Sequence, residues 1–593
     1  MYIIDQIKFR LAKRINLAIN QELVKPELLV YPPNVEMGDL SLACFIIAKE
    51  QQKNPAEVAA HIEKIISAQL EAMKKTGKID PCFLSSVKAM GPYINFNLDR
   101  AALGKMIVEE VAYSKNEYGK NESGFGKKVM IEYSNSNTHK EVHVGHLRNI
   151  SYGDSVNRIL AANGFKAIPV SYINDFGIHA AKTLWAYDKF FKDKPLPENK
   201  GFFLGQIYVR ATKELAKKEK YKEEVGEYMK KIESRQGRES KLWEKTRKWS
   251  IEQLAVIYKE LGIRFDQTFY ESEFIDKGLK IVGDLKKKGI SKESQGAVIA
   301  DLEEYGLGVL VFLRADGTAL YPVADLSLAI AKSKKYKLDK SIYVVDIRQG
   351  LHFKQLFKVL ELLGHKEELV HLGYDFVKLP SGMMSSRTGN IITYEDLRAK
   401  LMQKSIKETK KRHKDWSEKK IAATAGKIVN GAMKFEMIKV SAQSVITFDI
   451  EGSLRFDGFT AAYLQYTYAR MNSIIKKAKK QINKETKSYQ GIGGEGNLSV
   501  EDKEVAESKE HALIMKMMKY SEVVKKAGES YDPSEIAKYI FELAQLANDY
   551  YHSVPVLKAE EETRKARLAL LGSINQVLKN GLGILGIETV DEM

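Results

Sequence analysis

The stretch from Val129 to Ile173 constrains the fold of this chain more than any other. It begins with the apolar residues of a buried strand and passes through a polar loop, and a helical pattern then opens at Gly145 and stops at Asn163 and Gly164. A second strand follows from Ala167 to Ile173. This order predicts a βαβ unit of a parallel sheet, a fold that binds nucleotides where a strand gives way to a helix.

The loop of this unit contains His143-Val-Gly-His146 at the start of the helix. Gly145 has no Cβ, so a nucleotide can approach the backbone there. The two histidines can face the same way and donate hydrogen bonds to phosphate oxygens as charge builds on a leaving pyrophosphate. A zinc site with His139 is the alternative, but no Cys or carboxylate stands at ligand spacing nearby, so no structural zinc is expected.

A second polar loop, SGMMSSRTGN from Ser381 to Asn390, lies far downstream. Its small side chains with hydrogen-bond donors and its single Arg suit a flexible loop that contacts phosphates. Such a sequence is also compatible with an ordinary surface turn. Together the two loops resemble, in the right order, the His-Ile-Gly-His and Lys-Met-Ser-Lys-Ser signatures of class I aminoacyl-tRNA synthetases.

Longer blocks narrow the resemblance to the arginyl-tRNA synthetases. These blocks are IEYSNSNTHKEVHVGHLRNISYGDSVNRIL, YINDFGIH, LYPVADLSLAIAKSKKYKLDKSIYVVDIRQGLHFKQLF and the tail from Asp549 to Met593. The resemblance implies a multidomain α/β protein. Its expected parts are an α+β N-terminal tRNA-contacting domain (1–118), a Rossmann-like class I synthetase catalytic domain (119–400) with a charged connective insertion (187–275), a helical linking region (401–453) and an α-helical bundle that binds the anticodon (454–593).

The pattern of the chain agrees with this division. Charges in the insertion recur at i, i+3 and i+4, which is typical of solvated helix faces. After the insertion, AVIADL, VLVFL, the segment 318–322 and SIYVVDI carry strand signals. Because strands alternate with helices, they predict that the parallel sheet resumes near Gly296.

Composition adds limits on compartment and partners. Lys and Arg number 94 against 77 Asp and Glu, a net charge of +17 that favours a polyanionic partner or marks a Lys-rich proteome. Two cysteines, Cys44 and Cys82, predict no disulfide framework and a reducing compartment. The chain starts with an amphipathic helical pattern and not with a signal peptide, and it shows no apolar run of spanning length, so no membrane contact is expected. The resemblance implies a cytoplasmic monomer.

The implied activity is that of an arginine–tRNA ligase. Such an enzyme activates L-arginine with ATP, carried with Mg²⁺, and transfers it to tRNA(Arg), whose presence the activation step needs. Neither step requires a protein nucleophile, so the enzyme must align the reactants and neutralise charge. The residues that match the family's catalytic set are His143, His146, Lys140 and Arg387, and those that match its ATP site are His143, Gly145, His146, Met384, Ser385 and Ser386.

One departure from the family pattern concerns the second signature. Its opening Lys is Met383 here, and its fourth position is Ser386. Lys140, just upstream of the first signature, is expected to stand in as the missing cation; the alternative is a solvated loop lysine.

The amino-acid site must surround a guanidinium, which offers five donors in a fixed fork. By the resemblance, Glu132 and Asn137 hold the backbone end of arginine. Tyr321, Asp325 and Gln349 match the side-chain site, with Asp325 as the charge partner. An N-cap of the following helix is the alternative role for Asp325.

Two further groups match the tRNA contacts of the family. Tyr93 and Asn95 form an aromatic-x-amide pair that can stack on an exposed base and read its edge. Tyr463, Tyr466 and Arg470 can share a helix face that contacts the anticodon region. The alternatives are a purely structural N-terminal domain and tyrosines that belong to the core of the bundle.

Three other function classes compete with this interpretation. They are a nucleotidyltransferase of the same His-x-Gly-His superfamily, a catalytically dead tRNA-binding paralogue, and another class I synthetase. The length and basic character of the chain argue against the first class, and the intact histidines argue against the second. Asp325 with Tyr321 and Gln349 favours a cationic substrate over the third.

Overall fold

The computed structural model describes residues 1–78, 80–380, 382–383, 392–485 and 500–593. These residues form two compact units. The first unit consists of Met1–Gly119, Arg470–Val523 and Tyr539–Asn580, and the second of Lys120–Ala469, Val524–Lys538 and Gly581–Met593. Within these ranges, none of the helices combines the length and apolar character needed to cross a bilayer.

Helices dominate the described chain. The α-helices are α1 (Ile3–Ile19), α2 (Phe45–Gln51), α3 (Pro55–Lys75), α4 (Arg100–Ser114), α5 (Val144–Ala162), α6 (Ile178–Phe190), α7 (Lys200–Leu215), α8 (Lys220–Glu233), α9 (Gly237–Glu260), α10 (Ile275–Lys287), α11 (Tyr321–Tyr336), α12 (Gly350–Leu362), α13 (Tyr394–Arg412), α14 (Glu418–Ile438), α15 (Ala461–Glu485), α16 (Val500–Met518), α17 (Tyr520–Ser530), α18 (Pro533–Ser553) and α19 (Glu561–Ile584). The strands are β1 (Leu40–Ala43), β2 (Leu84–Met90), β3 (Tyr93–Leu98), β4 (Lys128–Glu132), β5 (Lys166–Ile173), β6 (Gln267–Tyr270), β7 (Lys292–Ser294), β8 (Ala297–Asp301), β9 (Val309–Leu313), β10 (Lys340–Asp346), β11 (Glu368–Tyr374), β12 (Val377–Leu379), β13 (Gly382–Met383) and β14 (Ile446–Thr447).

The first unit combines the N-terminal segment with two segments from the C-terminal part of the chain. Its sheet is antiparallel, in the order β1-β3-β2. The Asp39 carboxylate, next to β1, lies 2.6 Å from Nε2 of His511 on α16. The Lys8 ammonium and the Tyr31 hydroxyl each donate to Glu522, both at 2.6 Å. Polar pairs with little solvent contact therefore join the N-terminal module to the C-terminal helices, whereas the sequence predicts these as separate domains.

The second unit is built on a five-stranded parallel sheet in the order β11-β10-β4-β5-β6. The chain enters at β4, adds β5 and β6 on one side, and places β10 and β11 on the other. The strand order therefore reverses between β4 and β10, and a crevice at the carboxyl ends of the strands is expected at that point.

The βαβ unit predicted from the sequence is present as β4, α5 and β5. Val129 and Met130, whose side chains point to opposite faces of β4, are both buried, as a strand covered on both faces requires. Helix and sheet approach closely at Gly153, where a Cβ would come within 2.3 Å of the Tyr133 ring. Any side chain at that position would push α5 off the sheet and displace the loop before it.

Three strand expectations differ from the structure. Segments 297–301 and 309–313 form β8 and β9 of a separate antiparallel sheet, because the short link between them permits a hairpin and no crossover. Segment 318–322 is not a strand, since α11 already begins at Tyr321. The predicted insertion, 187–275, contains the edge strand β6, so its helical part ends at Glu260 with α9.

Candidate active site

The first signature lies where β4 gives way to α5. His143 is the N-cap of α5, and its Nδ1 accepts a hydrogen bond from the Gly145 amide at 3.1 Å. The His143 amide in turn donates to Nδ1 of His146 at 3.2 Å, and the two ring centroids are 3.9 Å apart. Since both Nδ1 atoms accept, the proton of each neutral ring sits on Nε2, which makes Nε2 the available donor.

Burial keeps both histidines neutral. It lowers the pKa of His143 to about 4, and the charge of Lys140 adds to the effect. The pKa of His146 lies well below its usual value because of burial, His143 and Lys140. The pair can therefore offer neutral N–H donors to a phosphate, whereas the positive charge in this loop comes from Lys140.

Gly145 has a structural role that the sequence does not suggest. A Cβ there would come within 2.9 Å of Cε1 and 3.0 Å of Nδ1 of His143. The glycine is thus needed for the cap made by the imidazole. Close approach of a nucleotide to this backbone remains a prediction.

Lys140 is supported by the insertion. Its ammonium lies 5.2 Å from the centroid of the Tyr208 ring on α7. One turn earlier, a Cβ on Gly205 would come within 2.3 Å of Cγ of Glu141, so α7 packs tightly on this loop. Burial, followed by the charge of Lys182, lowers the pKa of Lys140. These contacts do not fit the alternative of a solvated loop lysine.

The second signature falls mostly outside the described residues, and so do Met384, Ser385, Ser386 and Arg387. The segment that follows it is described. The Tyr394 amide donates to the Val142 carbonyl at 2.8 Å, the Val144 amide donates to the Ile392 carbonyl at 3.3 Å, and His143 forms a β-bridge with Thr393. The chain therefore leaves the second signature directly alongside the first.

A cavity of about 380 Å³ opens at the carboxyl ends of the strands. All five residues predicted to hold the amino acid line it, namely Glu132, Asn137, Tyr321, Asp325 and Gln349. They come from β4, the loop after it, α11 and the turn before α12. The structure thus brings together residues more than 200 positions apart in the sequence.

Glu132 is already paired within the protein. Its carboxylate binds the ammonium of Lys332, and the two side chains are 4% and 1% exposed. The other carboxylate oxygen accepts a bond from the Asn135 amide at 3.3 Å. Sequence reasoning missed Lys332. Lys332 follows Asp325 by seven residues on α11, and this spacing of two helical turns was the sequence signal that both lie on the same helix face.

Asp325 faces the cavity from the second turn of α11. Leu320 is the N-cap of that helix, and Pro322 fixes its first turn, so the alternative of an Asp325 N-cap is wrong. Oδ2 of Asp325 lies 2.8 Å from Nε2 of His352, a partner that sequence reasoning did not identify. His352 therefore orients one carboxylate oxygen.

Glu271 is a further acid that sequence reasoning missed. It is buried directly after β6, and its Oε2 accepts a bond at 3.2 Å from Asn174, which lines the cavity. Burial raises the pKa of Glu271 to about 8, with a further contribution from the charge of Asp325. No motif in the sequence marks it, because its position depends on the pairing of β6 with β5.

The predicted tRNA contacts of the first unit differ in accessibility. Tyr93 is 45% exposed and lies edge-on to the exposed Phe45 ring, with centroids 6.0 Å apart. Asn95, two residues further along the same face of β3, is 3% exposed. Tyr93 therefore offers more free surface than Asn95, and contact of either side chain with a base stays a prediction. Arg470 belongs to the same unit and lies 4.9 Å from the Tyr551 ring centroid.

Tyr463 and Tyr466 lie in the second unit, on the first turns of α15. Both are half-buried and therefore not fully part of a core. The Tyr466 ring lies edge-on to Phe456, at 6.2 Å between centroids, and Arg412 stacks on Phe456 at 4.0 Å. An aromatic surface with a guanidinium is suited to nucleobases.

His139 is engaged in the interior of the second unit. Its Nδ1 lies 2.9 Å from the Thr138 hydroxyl, and its Nε2 lies 2.8 Å from the Thr246 hydroxyl. Across the described ranges, no group of three or more His, Cys, Asp or Glu is placed to hold a metal ion.

Known protein families match nearly the whole chain. The model of the arginyl tRNA synthetase N terminal domain matches residues 3–98. The model of the class I tRNA synthetase (R) catalytic domain matches residues 107–449. That of the DALR anticodon binding domain matches residues 464–593.

Individual relatives agree with the family models. An arginine–tRNA ligase of Bdellovibrio bacteriovorus is 34% identical, over 95% of this chain and 94% of its own length. One of Clostridium perfringens is 34% identical, over 98% of this chain and 99% of its own length. The structure of Thermus thermophilus arginyl-tRNA synthetase is similar at a TM-score of 0.75 and 25% identity, covering 98% of this chain and 99% of that chain. That of Plasmodium falciparum shares the fold, at a TM-score of 0.72 and 17% identity over 99% of this chain and 98% of that chain.

Proposed function

The chain belongs to the arginyl-tRNA synthetase family, and we propose that the cavity between β4, β5, β10 and α11 is where it binds and activates L-arginine. As an arginine–tRNA ligase, the chain activates arginine with ATP and charges tRNA(Arg). One observation carries the assignment of the site: the acids and amides predicted for arginine line a single cavity at the switch point of the sheet, in the same unit as the histidine loop.

Activation joins an arginine carboxylate oxygen to the α-phosphorus of ATP and breaks the bond to the β-phosphate oxygen, so that pyrophosphate leaves. In this proposal, Nε2–H groups of His143 and His146 donate to the phosphates while Lys140 neutralises the growing negative charge. Mg²⁺ is proposed to arrive bound to ATP, since phosphate oxygens are the ligands it prefers. Arg387 and the residues of the second signature are proposed to complete this contact.

Arginine is proposed to lie with its guanidinium at Asp325, Tyr321 and Gln349 and its backbone end at Glu132 and Asn137. The guanidinium carries a full charge and meets the Asp325 carboxylate. The backbone end is a zwitterion without net charge and meets a Glu132 that Lys332 has already neutralised. Charges of ligand and site thus match at both ends.

The proposal extends to the tRNA and to the working form of the enzyme. Tyr93, Tyr463, Tyr466 and Arg470 are proposed to contact tRNA(Arg) through stacking and backbone charge. We further propose that the enzyme acts as a monomer in the cytoplasm. Sedimentation equilibrium of the full chain tests the monomer.

ATP–pyrophosphate exchange with each amino acid, with and without tRNA(Arg), tests the proposed function. Exchange with arginine and with no other amino acid, seen only in the presence of tRNA(Arg), supports the proposed function. Exchange with another amino acid would contradict the cavity assignment. Absence of exchange by a protein that still binds tRNA would indicate a paralogue without activity.

Glu271 is expected to make arginine binding release a proton. With its pKa at about 8, its carboxyl is protonated in the free enzyme at pH 7, and a nearby guanidinium favours the ionised form. Because binding must then displace a proton, affinity should fall as pH drops below 8, by up to about tenfold per pH unit, and stay level above it.

Calorimetric titration with arginine in buffers of different ionisation enthalpy measures this release directly. Wild-type enzyme at pH 7 should release close to one proton per arginine. The Glu271→Gln variant should release none and show a weaker pH dependence. A wild-type enzyme that releases no proton would show that bound arginine does not lower the pKa of Glu271.

Tyr93→Ala is expected to weaken binding of tRNA(Arg) by roughly tenfold, since stacking of one base on an aromatic ring contributes about 1–3 kcal/mol. The matched control is Tyr113→Ala, which removes a 91% exposed tyrosine of α4 in the same unit. Filter binding should show little change for the control. Equal effects of the two variants would mean that Tyr93 has no specific contact.

A further inference from the structure

Helix α11 presents one continuous stripe of residues to the proposed arginine site. Tyr321, Asp325, Leu328 and Lys332 are spaced by four, three and four residues, which places them on one helix face. The first three line the cavity. Lys332 lies about 10 Å further along the helix axis than Asp325, given a rise of about 1.5 Å per residue.

Lys332 ends this stripe inside the protein. Its side chain is 1% exposed and binds Glu132, which is 4% exposed. The ammonium also lies 4.8 Å from the centroid of the Tyr343 ring and 5.8 Å from that of Phe269. Aromatic rings at these distances stabilise a cation that is shielded from water.

The pair changes the charge of the cavity wall. Glu132 lines the cavity, yet its negative charge is balanced by Lys332 behind it. Asp325, at the other end of the stripe, is bound by His352 at Oδ2 alone, among the contacts of the described residues. The cavity is therefore negative at the Asp325 end and close to neutral at the Glu132 end.

We propose that Lys332 is a positioning residue that sets substrate selectivity by neutralising Glu132. A site with negative charge at just one of its two ends accepts a ligand with a cationic guanidinium and a zwitterionic amino-acid end. It disfavours guanidinium ligands that carry a second net positive charge, of which agmatine, the decarboxylated form of arginine, is the simplest. The proposal rests on the proposed function of the cavity as the arginine site.

The physical reason is the cost of an unbalanced charge away from water. The ammonium of agmatine would lie beside a Glu–Lys pair that gives it no net attraction, and it would lack the carboxylate that balances it in arginine. Removal of the Lys332 charge leaves Glu132 as an uncompensated anion. That anion attracts a second cation and repels the arginine carboxylate.

The test is the ratio of agmatine to arginine affinity, measured by calorimetric titration of the full-length enzyme. Lys332→Met keeps the length of the side chain and removes its charge. We expect this variant to shift the ratio toward agmatine by about tenfold or more. Glu132→Gln leaves Lys332 uncompensated, and we expect it to shift the ratio the opposite way. Since the two variants are predicted to have opposite signs, Glu132→Gln decides the question if Lys332→Met does not fold.

Two matched variants separate charge from packing. Lys332→Arg keeps the charge and should keep the ratio. The double variant Lys332→Met with Glu132→Gln removes both charges and should return the ratio toward the wild-type value. If Lys332→Met weakens arginine and agmatine by the same factor, Lys332 serves packing alone and the proposal is overturned.

Asp325→Asn distinguishes this failure from a failure of the proposed function. If the cavity holds arginine, Asp325→Asn weakens both ligands, since both carry the guanidinium. Wild-type affinity of Asp325→Asn for both would place the arginine site elsewhere. That result would overturn the proposed function and this inference together, whereas a constant ratio in the Lys332 and Glu132 variants would overturn the inference alone.

Discussion

Asp325→Asn is expected to raise the KM for arginine by roughly a hundred- to several-thousandfold, because removing one partner of a desolvated ion pair costs about 3–5 kcal/mol. The guanidinium would enter a site lined by Tyr321 and Gln349 without the carboxylate that faces it in the wild-type enzyme. The amide of this variant still accepts a hydrogen bond through its oxygen. Its NH₂ group, however, is a donor and cannot pair with the five N–H donors of the guanidinium. The rate at saturating arginine should change much less than KM, since the guanidinium is remote from the reacting carboxylate.

Asp346→Asn is the matched control for this measurement. Asp346 ends β10 at the same edge of the sheet, and Arg348 binds both of its oxygens, at 2.8 and 2.6 Å. Its loss should leave the arginine KM within a few-fold of the wild-type value. Steady-state aminoacylation with varied arginine compares the two variants. A KM for Asp325→Asn no higher than that of the control would show that the guanidinium binds elsewhere.

Lys140→Ala is expected to slow arginine activation by roughly a hundredfold, in line with the loss of one preorganised group that stabilises transition-state charge. The affinity for arginine should hardly change, since Lys140 does not line the arginine cavity. Its ammonium lies close enough to lower the pKa of both signature histidines. Because burial also lowers the pKa of Lys140 itself, the wild-type rate should decline at a lower alkaline pH than an ordinary lysine would produce.

Single-turnover formation of the adenylate with tRNA present measures this step alone. Lys140→Arg keeps a cation and should retain more activity than Lys140→Ala. Lys182→Ala, which removes the neighbouring lysine of α6, should leave the rate nearly unchanged. A wild-type rate for Lys140→Ala would show that this lysine does not replace the missing signature lysine, and Arg387 would be the next group to test.

The sequence predicts some features of this fold better than others, for physical reasons. The β4–α5–β5 unit is confirmed because apolar residues at strand and helix period leave few ways to bury them. β8 and β9 have the same apolar character, but their partner strand depends on the length of the link between them, which hydrophobicity does not report. The hydrophobic period of the sequence identifies helices and strands, whereas the length of the link between two strands decides which sheet they join.

The same distinction applies to the site. The resemblance indicates Glu132 and Asp325 but not the residues next to them. Lys332 binds Glu132, His352 binds Asp325, and Glu271 binds Asn174 behind the cavity wall. Lys332 reaches Glu132 across 200 residues of sequence, and its spacing from Asp325 places it on a helix face but does not indicate Glu132 as its partner. The alternative N-cap role for Asp325 failed because Pro322 starts α11 earlier than the polar residue suggests.

The pairing of N-terminal and C-terminal segments in the first unit has a consequence for biosynthesis. Asp39 and His511 are 472 positions apart, so at a translation rate of about 5–20 residues per second the partner of Asp39 is made roughly 20 to 90 seconds after it. During that interval the nascent N-terminal module keeps surface exposed that the finished protein covers with α16 and α17. Helices made late in synthesis therefore complete the part of the enzyme that is made early, and a truncation that removes α16 and α17 would leave that early product open to chaperones and proteases.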